Sequence, residues 1–163
     1  MCKRLTKDEI RQLHSKIKTT KEINALYENL SKEELAKASP SFNLNREDLK
    51  DEVWKKYIDN AKLEVSDFGR VRYSDTKEIL EQFDVAKLKG YLYLKDYVEI
   101  QEKCDFKFKD EYVYQMVART FLPKPTDDET IWDIHHKDND GYNNKAENLI
   151  YVLREDHKEI HWS

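Results

Sequence analysis

Cysteine is scarce in this sequence: Cys2 and Cys104 stand far apart, and neither belongs to a C-x-x-C pair. That excludes a disulfide framework and a cysteine-based zinc site. Long hydrophobic runs are missing too, since nothing approaches the roughly 18 apolar residues of a membrane span. "MCKRLTKDEI" lacks the apolar segment of a signal peptide. A soluble, cytoplasmic protein with no membrane partner is expected. Internal repeats and low-complexity tracts are absent. So is net positive charge, because 29 Lys and Arg face 33 Asp and Glu for a formal charge of −4. Adhesion to nucleic acid by overall charge is thereby excluded.

What is present suffices for a core. Hydrophobic residues make up 39% of the 163 residues, with ten Tyr, three Trp and six Phe, enough for one domain or for a small domain carrying a helical extension. Charge is unevenly spread: residues 1–21 hold seven Lys or Arg against two acids, and residues 132–163 hold four against seven. Any electrostatic footprint lies at the front. Residues 3–21 read first as a solvated helix face and second as a helix tracking a DNA backbone, with His14 on its surface.

The first 60 residues read as a helical N-terminal region. Ile10, Leu13 and Ile17 share one helical face, and Ile23, Leu26, Tyr27 and Leu30 repeat the spacing after a capping-box pattern from Thr19 to Glu22. Ser31 to Glu34 reads as another helix start, and Pro40 ends the segment. A third helix is expected from about Asn45, with Leu49, Val53, Trp54 and Tyr57 as its apolar stripe.

From residue 61 the pattern changes to short β-branched and aromatic runs: "LEVS", "RVRY", "KEILEQF", "GYLYLKDYVEI" and "FKFK". "DFGR" supplies a glycine turn between the first two. Val113, Met116, Val117 and Phe121 return to helical spacing before Pro123. Residues 61–130 therefore read as a small antiparallel β region with one helix, leading into a terminal unit over 131–163.

That unit, "IWDIHHKDNDGYNNKAENLIYVLREDHKEIHWS", holds four of the five histidines. "IWDIHH" alternates like a strand and delivers His135 and His136 to opposite faces. A polar loop with a D-G turn and the strand "LIYVL" follow. On the final helix "REDHKEIHW", His157 and His161 are four apart and share a side. Two such imidazoles and one from the strand can hold a divalent ion, and the remaining strand histidine is then free to take a proton from water. A metal so held polarises a phosphodiester. Asp133 shares strand parity with His135 and is a candidate to brace the site. Asp138, Asp140, Asn143 and Asn144 read as loop caps and turn residues.

"HH", "ENL" and "HKEIH" resemble the histidine-rich ββα-metal motif of the HNH nucleases. "LEVSDFGRVR", "KGYLYLKD" and "YVYQMVARTFLPKP" are similar to the segment that precedes it in phage and intron-encoded HNH homing endonucleases. The resemblance implies an α+β fold ending in a ββα-metal unit. It implies His135, His157 and His161 as metal ligands, His136 as general base and Asn148 as the loop residue that orients that base. Many such enzymes carry an acid or asparagine where this chain has His135 or His157.

The activity implied is metal-dependent hydrolysis of DNA phosphodiesters, one strand nicked per site. Mg²⁺ or Mn²⁺ would support activity, and Zn²⁺ or Ni²⁺ could occupy the three-histidine site. Double-stranded DNA is the implied partner, and a second copy or a protein partner would supply specificity. Arg70, Arg72, Lys87 and Lys89 are candidates to meet phosphate. The alternative is a catalytically inactive HNH-fold metal-binding module that binds nucleic acid or protein.

Overall fold

The computed structural model describes residues 4–84, 91–94, 111–123, 125 and 131–162. Lys87, Lys89, both cysteines and the "FKFK" run lie outside them. The N-terminal region opens with α1 (Lys7–Ser15), α2 (Thr20–Tyr27) and α3 (Lys32–Ala38). Each start is capped by a hydroxyl: Thr6 accepts from Glu9 N, Thr19 from Glu22 N and Ser31 from Glu34 N. These bonds satisfy backbone donors that a first helical turn leaves open. Ile10 and Leu13 are buried against Val152 and Ile160 of the terminal unit. The α2 stripe is weaker than its spacing suggests, for Leu26 is exposed.

The helix expected from Asn45 does not form. Its carbonyls are captured from elsewhere: Arg70 Nη1 donates to the carbonyls of Asn43 and Asn45 and Nη2 to that of Glu47. Asn43 and Asn45 also cap the backbone locally, accepting from Asn45 N and Glu47 N, and Asp51 sits at φ 65. Side chains that bond their own backbone in this way compete with helix. Trp54 and Tyr57, placed on the helical stripe by spacing, instead belong to a strand.

That strand, β1 (Trp54–Tyr57), pairs antiparallel with β2 (Asn60–Ser66), which pairs with β3 (Val71–Tyr73). The glycine turn between β2 and β3 forms as read, with Gly69 at φ +88, a conformation that glycine adopts without strain. A second antiparallel sheet has β4 (Phe83–Asp84), β5 (Leu92–Leu94) and β6 (Glu111–Tyr112). "KEILEQF" is not one strand: Ile79 makes an isolated bridge to Arg72, and only Phe83 at its end joins β4. Helix α4 (Val113–Phe121) lays Val113, Met116 and Val117 on Tyr57, Leu63, Val65, Val71, Leu94 and Leu149. This core reaches from before residue 60 into the terminal unit.

The terminal unit is β7 (Trp132–His136), a loop, β8 (Leu149–Leu153) and α5 (Arg154–Trp162), the strand, loop, strand and helix read from the sequence. In the β7–β8 register His135 faces Ile150 and His136 faces Leu149. Together these elements make an α+β fold of helices and small antiparallel sheets. No helix among the described residues is long and apolar enough to cross a membrane.

Candidate metal centre and hydrolytic site

Strand alternation puts Asp133 and His135 on one side of β7 and His136 on the other. Burial of Ile160 with Val152, Ile10 and Leu13 holds α5 against β8 and α1. One α-helical turn then carries His157 and His161 up to His135. One ligand nitrogen from each of the three lies within 4.8 Å of the others, and the ring centroids are 4.8 to 5.2 Å apart.

Three observations fit this cluster to a divalent ion. His135 Nε2 is buried and has no hydrogen-bond partner, although buried polar atoms are normally satisfied. His157 Nε2 and His161 Nε2 approach to 3.1 Å, a distance at which one ring donates to the other in the absence of an ion and both nitrogens can turn their lone pairs to one when it is bound. Burial, reinforced by His157 and His161, pushes the His135 imidazole down from 6.5 to about 3, and burial lowers His161 as well. A metal ligand must be the neutral imidazole.

The supporting shell is in place. His157 Nδ1 donates to Asp133 Oδ2 at 3.2 Å, which leaves Nε2 with the lone pair on the side facing the other two rings. Arg154 Nε and Nη2 donate to Asp133 Oδ1 at 3.2 and 3.1 Å. Burial would raise the Asp133 carboxyl, but these hydrogen bonds outweigh it and hold it below the usual range. Carboxylate-to-histidine contacts of this kind orient metal ligands. His14, read as a surface residue, is half-buried beside this helix: its Nδ1 donates to the Ile160 carbonyl at 2.5 Å. Three imidazoles suit zinc or nickel better than magnesium, which favours oxygen.

His136 stands apart from the cluster, only 6% exposed, with its ring near those of Tyr91 and Tyr114 at 6.0 and 5.3 Å. Burial lowers its basicity in spite of an opposing hydrogen bond that the ring makes to Asn144. That bond corrects the role read for Asn148. His136 Nε2 meets Asn144 Oδ1 at 2.8 Å, and Asn148 makes no hydrogen bond to the ring. Asn148 instead braces the loop, accepting from Asp138 N at 3.2 Å and donating to Asp138 Oδ1 and the Asn143 carbonyl, each at 2.9 Å. It reaches His136 only through the segment it holds. Asn144, read as a turn residue, carries no local sequence signal that separates it from Asn143.

The hairpin arginines are also corrected. The Arg70 side chain is 0% exposed and paired with Glu52, and Arg72 is bonded to Glu64 and Asp48 while its guanidinium lies 3.9 Å from the Trp54 ring centroid. The Arg70 guanidinium is closed off from a phosphate, and that of Arg72 is engaged by two carboxylates. Lys87 and Lys89 lie outside the described residues.

No family model matches the chain, and no curated protein matches it. Among solved structures, the chain is similar to the HNH homing endonuclease I-HmuI, determined in a study of its DNA binding and cleavage, at a TM-score of 0.50 and 22% identity. The match covers 66% of this chain and 56% of that one, little more than half of its length. Architecture and structural likeness agree that this chain has an HNH-like α+β fold.

Proposed function

We propose that the chain is a metal-dependent HNH-type endonuclease that hydrolyses phosphodiester bonds in DNA. The observation that carries the reading is the division of labour at the end of one strand. Three convergent imidazoles lie on one side of β7, and a fourth, held separately by Asn144, lies on the other. In this reading His135, His157 and His161 hold one divalent ion, and Asp133 keeps His157 in the ligating tautomer. The ion, when bound, supplies Lewis acidity toward the phosphate and the leaving oxygen. His136, neutral because it is buried, takes the proton from the attacking water, while Asn148 keeps the loop in place.

One such site serves one strand, so nicking is the expected product and cutting of both strands takes two copies. With Arg70 buried and Arg72 held by carboxylates, Lys87 and Lys89 together with the exposed Lys7, Arg11, Lys16 and Lys21 are the cations assigned to approach a DNA backbone. Binding to plain duplex is therefore weak at physiological salt, and specificity comes from a second copy or a protein partner. Because α1 packs on α5, deleting residues 1–21 would unseat the metal helix. Replacing Lys7, Lys16 and Lys21 by Gln is the cleaner test of this surface.

The primary experiment is relaxation of supercoiled plasmid by the full chain with Mn²⁺ or Mg²⁺, compared with EDTA. Metal-dependent nicking is expected. His136→Ala should lose it by roughly 10²-fold or more with metal binding by calorimetry unchanged, and equal loss of metal would remove His136 as the base. The second reading, a metal-binding module without activity, is favoured by the near-complete burial of His136 and the occupied arginines. Metal binding without nicking at any metal tested would establish it instead.

A further inference from the structure

The contact between His136 and Asn144 bears on which ring nitrogen does the work. A neutral imidazole has one N–H and one lone pair, and the hydrogen bond made by one nitrogen sets the role of the other. Here Asn144 Oδ1, an acceptor, lies 2.8 Å from His136 Nε2. With the amide in this orientation, which leaves Asn144 Nδ2 buried without a partner, the bond requires the proton on Nε2. The lone pair then resides on Nδ1.

Asn144 is itself held from outside the terminal unit. It is 1% exposed and packs against the β2–β3 turn. A Cβ added at Gly69 would stand 2.9 Å from Asn144 Cβ and 3.1 Å from its carbonyl oxygen. That turn is anchored in three ways: the Gly69 carbonyl accepts from Ser41 Oγ at 2.9 Å and from Gln82 Nε2 at 2.7 Å, and Ala146 N donates to the Asp67 carbonyl at 2.8 Å. The "DFGR" turn and the histidine strand, more than sixty residues apart in the chain, thus meet at one asparagine. Only glycine permits the approach.

We propose that Asn144, seated by the Gly69 turn, is a positioning residue that keeps His136 in the Nε2–H tautomer and leaves Nδ1 as the nitrogen that accepts the proton. The inference rests on the reading of His136 as general base, and deepens it. An amide flipped by half a turn would place Nδ2–H on Nε2 and force the proton to Nδ1. The basic nitrogen would then be occupied, so the orientation of one buried amide decides whether this ring can act.

Imidazole nitrogen NMR of the full chain with Zn²⁺ reads the tautomer directly and needs no catalysis. A protonated Nε2 and a bare Nδ1 on His136 are expected; a protonated Nδ1 overturns the proposal. In Asn144→Ala the two tautomers should mix, whereas Asn144→Asp, which keeps an oxygen at this point, should preserve Nε2–H. Asn144→Ala should also lower kcat for nicking by roughly tenfold or more with KM and metal affinity unchanged, and Gly69→Ala should do the same. An unaltered tautomer and kcat in Asn144→Ala overturns the proposal as well. Failure of the wild-type chain to nick DNA would defeat the nuclease reading, and the spectrum would still decide the tautomer.

Discussion

Two polar clusters of this fold, one around Arg70 and one around His135, are built on opposite terms. Around Arg70 every donor has an acceptor: Nε and Nη2 meet the two oxygens of Glu52 at 2.9 and 2.7 Å, and the other three N–H groups meet the carbonyls of Asn43, Asn45 and Glu47. Around His135 the nitrogens converge on one another, and Nε2 of His135 has no partner. A buried charge that is fully satisfied is a structural tie, here binding an irregular segment to the β2–β3 hairpin. The histidine cluster leaves the buried His135 Nε2 without a partner, a cost that a bound ion would relieve.

Breaking the closed cluster should have the largest effect. Arg70→Met strands the Glu52 carboxylate in the interior and should cost about 3 to 5 kcal/mol of folding stability, measured by denaturant titration. Adding Glu52→Leu should recover part of the loss, since no unpaired charge remains. If Arg70→Met cost no more than an exposed substitution, the satisfied-tie account would be wrong.

The open cluster should respond to metal instead. Zn²⁺ at a hundredfold excess over its Kd should stabilise the fold by about 2.7 kcal/mol, seen as a rise in Tm that EDTA reverses. His161→Ala should abolish that increment and leave the Arg70 contribution untouched. Identical melting curves with Zn²⁺ and with EDTA would remove the metal centre.

Acidification separates the two clusters by pH. His135 is depressed from 6.5 to about 3 in the folded chain, so below 6.5 the unfolded chain binds a proton that the folded chain refuses. Metal-free stability therefore falls as pH drops through that window, by on the order of 1 to 2 kcal/mol near pH 5. His135→Ala should flatten this part of the curve. Glu52 acts further down: burial raises its carboxyl, but the bonds from Arg70 and its neighbours outweigh that and hold it below 4.5. Its contribution is complete above 4.5 and is lost as pH falls through the folded value, a segment missing in Arg70→Met.

An exposed ion pair gives the floor for both comparisons. Arg11 and Asp8 meet at 3.1 Å with both side chains largely in solvent, and Arg11→Ala should change stability by less than about 1 kcal/mol. A larger loss would mean that α1 carries strain or contacts beyond this pair.

The terminal unit was legible because its signals are local. Alternation in "IWDIHH" and the four-residue spacing of His157 and His161 follow from strand and helix periods alone, and hydroxyl caps announced α2 and α3. Arg70 was misread for the opposite reason. Next to a glycine turn an arginine looks exposed, and nothing within a few residues shows that Glu52 and three carbonyls of residues 43–47 will close over it. The same closure turned an expected helix into irregular backbone and left Trp54 and Tyr57 to a strand. Asn144 and Asn148 were equivalent by composition, and the loop path with the Gly69 turn chose between them.

The amino-acid sequence by itself determined which side chains are present and, through the periods of strand and helix, which of them share a face: Asp133 with His135, His157 with His161, Ile10 with Leu13. Tertiary structure alone decided which faces meet, which arginines are buried and which asparagine touches His136. These depend on hydrogen bonds and packing between residues tens of positions apart, where side-chain geometry, and not local backbone preference, sets the outcome.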